Sequence, residues 1–189
     1  MIRISGGRLR GHYIKTPPDK ITRPALSSVR LAVFNILAPV LADSSFLDLF
    51  GGSGAYAIEA MSRGARQATI VEINHRAALV IRENLESTGL NQSVQLIVGD
   101  ALKAIPAFAQ SGVEFDIVAV APPHFVGLVE KTIAMIDETP GLVRQDGVVF
   151  VQHHHDEKLP ADLRNLLVGR VYRYGITQVS LLHRASFPA

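Results

Sequence analysis

The feature that most constrains the fold is an alternation, from Phe46 onward, of short apolar runs with amphipathic stretches of about ten residues. Apolar runs of this length are typical of strands buried on both faces, and strand–helix–strand repeats build a parallel sheet covered by helices. The predicted strands are Phe46–Phe50, Ala68–Glu72, Val94–Val98, Phe115–Val120 and Gly147–Gln152. The predicted helices are Ala55–Ser62, Arg76–Ser87, Ala101–Phe108 and Val126–Ile136.

The two ends of the chain depart from this alternation. Near the carboxyl terminus, Arg170–Tyr174 and Thr177–His183 leave no room for a crossover helix, so we predict an antiparallel hairpin. Near the amino terminus, a helix capped by Ser27 or Ser28 is predicted to end by Pro39. A seven-stranded, mostly parallel α/β sheet that ends in an antiparallel hairpin is the Rossmann-like architecture of class I methyltransferases.

Length and composition bound the function classes. With 189 residues, 48% of them hydrophobic and 19% charged, the chain fits one compact domain, residues 1–189. The absence of cysteine excludes disulfides, thiolate metal sites and a thiol nucleophile. Apolar runs are too short for a membrane span and the amino terminus lacks a signal-type apolar region, so we expect a cytoplasmic protein with no membrane partner.

Positive charge is concentrated at the amino terminus. Residues 1–30 have a net charge of +6. Because the whole chain has a net charge of +2, the remaining residues carry −4. Cationic side chains gain by releasing counterions from nucleic acid, although an ordinary solvated surface gives the same count. We predict that residues 1–25 form a basic β-hairpin arm. The predicted RNA contacts are Arg3, Arg8, Arg10, Lys15, Arg23 and Arg30.

A glycine loop follows the first predicted strand. Gly52 and Gly54 let the backbone approach a ligand at the carboxyl end of the strand, although a plain strand-to-helix turn needs similar glycines. The pattern from Gly52 to Ala57 also fits a loose dinucleotide fingerprint. Asp48 favours a different cofactor, because a carboxylate suits the sulfonium and ammonium of S-adenosylmethionine and opposes a pyrophosphate.

Two further carboxylates end the next strands. Glu72 is placed to accept ribose hydroxyls, and Asp100 is placed either to accept from an adenine amine or to cap the following helix. The predicted cofactor-binding residues are Asp48, Phe50, Gly51, Gly52, Gly54, Glu72, Ile73, Asp100 and Ala101.

The motifs, taken in order, resemble the RsmD family of bacterial methyltransferases, which methylate a guanine exocyclic N2 in small-subunit ribosomal RNA. The resemblance covers nearly the whole chain. It rests on residues 3–7 with Gly11, Arg23-Pro24, Val29-Arg30, residues 34–37, 47–50, 52–54, Glu59-Ala60, 62–65, Val71-Glu72, 81–84, 99–101 and Tyr174-Gly175.

The chain departs from the family pattern on the target side. The family has Asp-Pro-Pro-Tyr where this chain has Ala121, Pro122, Pro123 and His124. The resemblance implies that the Asp and the first Pro carbonyl accept hydrogen bonds from the target amine, and that the aromatic ring stacks on the base. Pro122, Pro123 and His124 are therefore the predicted catalytic residues. Leu31 and Ile176 replace two further family acids, and Ala25 replaces a Thr.

The function that the resemblance implies is methyl transfer from S-adenosylmethionine to small-subunit ribosomal RNA or to an assembly intermediate of the subunit. The acid losses leave open a catalytically silent RNA-binding homologue. The glycine pattern alone leaves open an NAD(P)-dependent oxidoreductase, and amine chemistry leaves open DNA or free bases as substrates. His153–His155 sits at a strand end without a completing carboxylate pattern, so we predict no metal site. We expect a monomer.

Overall fold

The computed structural model describes residues 1–18 and 24–185. The chain forms two compact units, Met1–Gly99 and Asp100–Ala189. The first contains β1 (Ile2–Arg3), β2 (Tyr13–Ile14), α1 (Pro24–Leu41), β3 (Ser45–Asp48), α2 (Ala55–Ser62), β4 (Gln67–Glu72), α3 (His75–Ser87) and β5 (Val94–Val98). The second contains α4 (Ala101–Gln110), β6 (Phe115–Val120), α5 (Leu128–Asp137), a 3-10 turn (Pro140–Leu142), β7 (Val143–His154), β8 (Leu166–Tyr174) and β9 (Thr177–Arg184).

The main sheet has seven strands in the order β5-β4-β3-β6-β7-β9-β8. In the first unit β3, β4 and β5 are parallel. In the second, β6 and β7 are parallel, and β9 runs antiparallel to both β7 and β8. The predicted α/β class, with a mostly parallel sheet and an antiparallel end, is confirmed. No helix within the described residues combines the length and the apolarity that a membrane crossing requires.

Burial on both faces explains why the strands read as apolar runs. Every residue of β3 is buried, and so is every residue of β4 after Gln67. Helices cover the faces of parallel sheets, so a polar side chain inside such a strand loses its water. Buried carboxylates in such strands therefore suggest a role in binding. Asp48 and Glu72 each end a strand, at the same edge of the first unit.

The amino-terminal hairpin of β1 and β2 is fixed to α1 and α2 through the buried carboxylate of Glu59. Its Oε2 accepts from the Ser5 amide at 2.9 Å, and its Oε1 accepts from the Ser5 hydroxyl at 2.7 Å. The guanidinium Nε atoms of Arg63 and Arg30 lie 2.8 Å and 3.5 Å from the carboxylate. Burial raises the pKa of Glu59, but the Ser5 and Arg63 hydrogen bonds and the Arg30 charge together lower it.

In the second unit, another buried carboxylate joins the end of α5 to the start of β8. Asp137 accepts hydrogen bonds from the backbone amides of Arg164, Asn165 and Leu166 at 2.7–3.1 Å. The turn between β8 and β9 places Gly175 at a φ of 61°, and Tyr174 pairs with Thr177 across it. The predicted two-residue antiparallel hairpin is thus present.

Helix α1 corrects two sequence predictions. It begins at Pro24, so capping by Ser27 or Ser28 is wrong, because proline is favoured in a first helical turn. It also continues past Pro39 to Leu41. A proline in the last turn removes one backbone hydrogen bond, whereas the buried side chains of Leu37 and Leu41 hold that turn against the core.

Strands β7 and β8 are longer than predicted. Residues 143–146 of β7 are mostly polar, yet Val143 pairs with Phe115 across an irregularity in the register. At its other end β7 continues through His154, which pairs with Thr177. Strand β8 starts at Leu166 and pairs with β9 on both sides of a second irregularity. Pairing with a neighbouring strand extends these elements beyond their apolar runs.

Candidate functional site

The glycine loop joins β3 to α2, and its shape depends on glycine at three positions. Gly52 and Gly54 have φ angles of 59° and 78°, in the left-handed region that favours glycine. A Cβ atom on Gly51 would overlap Ile70 Cγ2. The loop therefore packs directly on β4, and all residues from Gly51 to Gly54 are buried.

Asp48 ends β3 and is completely buried. Its Oδ1 accepts from the amide of Phe50 at 3.3 Å, which turns the chain from the strand into the glycine loop. Tyr56, in the first turn of α2, is close enough for its phenol to interact with this charge. Burial raises the pKa of Tyr56, the Arg30 charge lowers it, and Asp48 raises it again, so the phenol stays protonated.

Glu72 ends β4 and is 8% exposed. Its Oε2 accepts from the Gly52 amide at 2.6 Å, and its Oε1 accepts from the Asn74 amide at 2.8 Å. Each carboxylate oxygen has a second lone pair available for a ligand hydroxyl. The side chain thus holds the glycine loop, and its contact with ribose hydroxyls stays a prediction.

The remaining predicted cofactor residues differ in exposure. Asp100 caps α4, because its Oδ1 accepts from the Leu102 amide at 2.9 Å. Ala101 is buried, Phe50 is half-buried, and Ile73 is 66% exposed. The helix cap at Asp100 is therefore present, and contact of its other oxygen with an adenine stays a prediction.

The Pro-Pro segment follows β6 in the second unit. Pro122 is buried, Ala121 and His124 are half-buried, and Pro123 is exposed. The ring of His124 lies 5.9 Å from that of His154, with an interplanar angle of 68°. The segment thus brings an imidazole next to the end of β7.

The three consecutive histidines have different surroundings. His153 is fully buried, and its ring nitrogens lie 2.8 Å from the His154 carbonyl and 3.1 Å from the Ser180 hydroxyl. Desolvation lowers the pKa of His153. His154, His155 and Asp156 bring ligand atoms within 4.8 Å of one another. At 2.9 Å, His155 Nδ1 and Asp156 Oδ1 are at hydrogen-bonding distance, and the absence of a metal site stays a prediction.

The predicted RNA-binding residues fall into three groups. Arg3 and Arg10 are exposed and line, with Arg30, Ser27 and Ser28, a cavity of about 360 Å³ in the first unit. Arg8 and Lys15 are exposed elsewhere, and Lys15 pairs with Glu83 at 2.8 Å. Arg30 is 4% exposed and donates to the Arg3 carbonyl at 2.7 Å, so it has a structural role. Arg23, and the side chain of Ala25, lie outside the described residues.

Sequence reasoning assigned no role to Asn84, Phe125 and Glu157. Asn84 Nδ2 donates to the carbonyls of Ser53 and Lys15, both at 2.9 Å, and so links the glycine loop to the amino-terminal arm. Glu157 bonds the amides of Phe125 and His154. A buried asparagine has no periodic signal, and the contact of Glu157 with Phe125 spans 32 residues of sequence.

Comparison with known proteins identifies the family. Residues 2–183 match the family described as Conserved hypothetical protein 95. Ribosomal RNA small subunit methyltransferase D of Escherichia coli (strain K12) is 34% identical over 159 residues, which are 84% of this chain and 78% of that protein. The solved structure of Escherichia coli yhhF has a TM-score of 0.83 and 32% identity over 98% of this chain and 99% of that chain.

A more distant structure shares the fold. SMU.776, in a complex with SAH, has a TM-score of 0.70 and 15% identity over 85% of this chain and 50% of that chain. The fold is that of S-adenosylmethionine-dependent methyltransferases. With a family match that spans almost its whole length, the chain belongs to the RsmD family, Conserved hypothetical protein 95.

Proposed function

We propose that this protein transfers a methyl group from S-adenosylmethionine to the exocyclic N2 of a guanine in small-subunit ribosomal RNA. Family membership supports RNA methylation, since a relative 34% identical to this chain is a ribosomal RNA small subunit methyltransferase. The choice of donor and the roles of individual residues rest on the geometry of each unit.

The observation that carries the choice of donor is the hydrogen bond from the Gly52 amide to Glu72, at 2.6 Å. In a dinucleotide site, the amides of this loop point at an anionic pyrophosphate. Here the amide faces a carboxylate, and Asp48 adds a second buried acid at the start of the loop. The Asp48 charge opposes a pyrophosphate and suits the cationic methyl donor, whereas Glu72 suits the ribose of either cofactor, so the residues present fit S-adenosylmethionine.

The three carboxylates predicted to bind the donor then have defined tasks. When bound, S-adenosylmethionine supplies an electrophilic methyl group. Glu72 uses its free lone pairs for the ribose hydroxyls, and Asp48 stabilises positive charge near the loop. Asp100 keeps Oδ1 on its own helix, and its predicted task is to accept from the adenine amine through Oδ2.

On the acceptor side, the Pro122 carbonyl accepts a hydrogen bond from the guanine amine. This bond directs the lone pair of the amine nitrogen at the methyl group. Transfer forms one N–C bond and breaks one S–C bond, and the nitrogen then releases a proton to solvent or to His124. Ala121 provides no hydrogen bond acceptor beyond its backbone. Loss of one preorganised polar partner slows a reaction by about a hundredfold, so we expect slow turnover.

The test is methyl transfer from labelled donor to small-subunit RNA and to its assembly intermediate. We expect slow transfer by the natural chain and, for Ala121→Asp, a rate about a hundredfold higher, because the carboxylate restores the missing acceptor. Ala42→Asp, which adds the same charge at an exposed position, is the matched control and should leave the rate unchanged. Absence of transfer by both the natural chain and Ala121→Asp would overturn the proposal.

The arginine-lined cavity supports RNA as the substrate. Among residues 1–18 and 24–185, no carboxylate forms an ion pair with Arg3 or Arg10. Two exposed guanidinium groups beside two serine hydroxyls suit a phosphodiester. Each phosphate contact removed lowers the slope of log affinity against log salt by about one. We expect this change for Arg10→Gln and a smaller one for Arg66→Gln, an exposed arginine that does not line the cavity.

A second candidate function is a silent homologue that binds donor and RNA without turnover. The apolar Ala121 favours it, together with Leu31 and Ile176, which are 40% and 50% exposed. Calorimetry with S-adenosylhomocysteine distinguishes the candidates: binding without transfer supports the silent homologue. Displacement of bound S-adenosylhomocysteine by NADH would instead support an oxidoreductase.

A further inference from the structure

Phe125 has two energetically unfavourable features, an exposed apolar side chain and a positive φ angle. Its side chain is apolar, and the residue is 65% exposed. Its φ angle is 60°, and among the described non-glycine residues only Asp43 shares a positive φ. A bulky residue in this conformation is strained, and such strain persists where the surroundings enforce it, often at ligand sites. A glycine or an asparagine would adopt this positive φ angle with less strain.

The enforcing group is the carboxylate of Glu157. Its Oε1 accepts from the Phe125 amide at 2.9 Å, and its Oε2 accepts from the His154 amide at 3.0 Å. One side chain therefore joins the loop after β6 to the end of β7. This bridge fixes Phe125 in its strained conformation and sets its ring relative to His154.

The rings around Phe125 form a small aromatic cluster. Phe125 lies 4.6 Å from His154 at an interplanar angle of 50°, and 6.2 Å from His124 at 88°. His154 stacks on His155 at 4.5 Å and 28°. His154 thus supports the Phe125 ring from within the protein, while most of Phe125 remains open to solvent.

The position of the cluster points to its ligand. Strands β6 and β7 are parallel neighbours, with Val120 opposite Val151, and the cluster lies at their carboxyl ends. Open α/β sheets bind ligands at that edge. An exposed aromatic ring beside the carboxylate of Glu157 offers stacking and negative charge, which suits a base with amino donors and disfavours a phosphate.

We infer that Phe125, supported by His154 and positioned by Glu157, is the stacking surface for an unpaired purine base of the RNA substrate. This inference rests on the proposed function and extends it, because it moves base stacking from His124 to a residue that the motif does not include. Phe125 contacts the base, whereas Glu157 acts through it.

The chain has no tryptophan, which makes a direct test available. Phe125→Trp introduces a single tryptophan at the stacking position, and we expect guanosine 5′-monophosphate to quench the tryptophan fluorescence while ribose 5-phosphate does not. Val126→Trp is the matched control at a neighbour that is 55% exposed, and it should show little quenching. Adding Glu157→Gln to Phe125→Trp should reduce the quenching by the mononucleotide.

A second measurement covers failure of the tryptophan variant to fold. Phe125→Leu should weaken binding of single-stranded small-subunit RNA by about tenfold, because the base loses its aromatic stacking partner. Val126→Ala should leave affinity unchanged. Equal quenching at positions 125 and 126, or unchanged affinity of Phe125→Leu, would overturn the inference.

These readouts do not require turnover, so the two proposals fail separately. Base-specific quenching without methyl transfer would uphold the stacking surface and count against the proposed reaction. Methyl transfer by a chain whose Phe125→Trp variant shows no base-specific quenching would support the proposed reaction and count against the stacking surface.

Discussion

Replacement of Glu59 by glutamine perturbs the group that joins the amino-terminal arm to α1 and α2. Glu59→Gln keeps the size of the side chain and one acceptor oxygen but removes the charge. Two guanidinium groups then lose their carboxylate partner: that of Arg30, whose side chain is 5% exposed, and that of Arg63, 16% exposed. The amide NH2 that replaces one carboxylate oxygen also faces a Ser5 donor, because the Ser5 amide and hydroxyl donate to different oxygens of this carboxylate.

The magnitude follows from burial. Removing one partner of a buried ion pair costs about 3–5 kcal/mol, because the remaining charge stays desolvated. Arg30 retains its bond to the Arg3 carbonyl, and Arg63 is partly solvated, so we expect the lower end, about 3 kcal/mol. Glu83→Gln is the matched control: it breaks the Lys15 pair, whose side chains are 64% and 53% exposed, and should cost less than about 1 kcal/mol.

The assay is urea denaturation followed by circular dichroism, with limited proteolysis of the arm as a second readout. We expect a lower free energy of unfolding for Glu59→Gln and faster cleavage before Tyr13. If Glu59→Gln and Glu83→Gln lose the same stability, the reasoning that the buried carboxylate anchors the arm is refuted.

Three further predictions use the same denaturation assay. The folded pKa of Glu59 lies below its usual 4.5, so its stabilisation is present above that pH and lost as the pH falls through the lower value; Glu59→Gln should flatten this dependence. Gly51→Ala should destabilise by about 1–3 kcal/mol through overlap with Ile70, whereas Gly99→Ala, with open space around it, should not. Asn84→Ala should cost about 2 kcal/mol and weaken donor binding, since buried backbone groups of the glycine loop and the arm lose their partner. An unchanged unfolding curve for Gly51→Ala or Asn84→Ala, or an unchanged pH dependence for Glu59→Gln, would contradict the respective argument.

Local signals predicted much of the fold. Strands β5 and β6 and helix α2 have the predicted bounds, because an apolar run or a glycine loop marks both ends of each. The predicted ends of α1 and β7 and the predicted start of β8 were wrong. Their limits depend on pairing with distant strands or on packing of Leu37 and Leu41, which local residue preferences do not contain.

The candidate site was likewise predicted only where the signal is local in the sequence. Asp48, two residues before the end of its predicted strand, and Glu72, at the end of the next, were predicted from acidic side chains close to the glycine loop. In the structure Asp48 accepts from the Phe50 amide and Glu72 from the Gly52 amide. Arg30 was predicted as an RNA contact from the charge of residues 1–30, but its burial follows from the position of Glu59, which no charge count reveals. The strained conformation of Phe125 depends on Glu157, 32 residues further along the chain, so sequence gave no signal for it.

The most direct test of the central proposal is the position and rate of methyl transfer from labelled S-adenosylmethionine to small-subunit RNA. We predict label at a guanine N2, slow in the natural chain and about a hundredfold faster in Ala121→Asp. Label on another atom, or no transfer by either protein although S-adenosylhomocysteine binds, would contradict it.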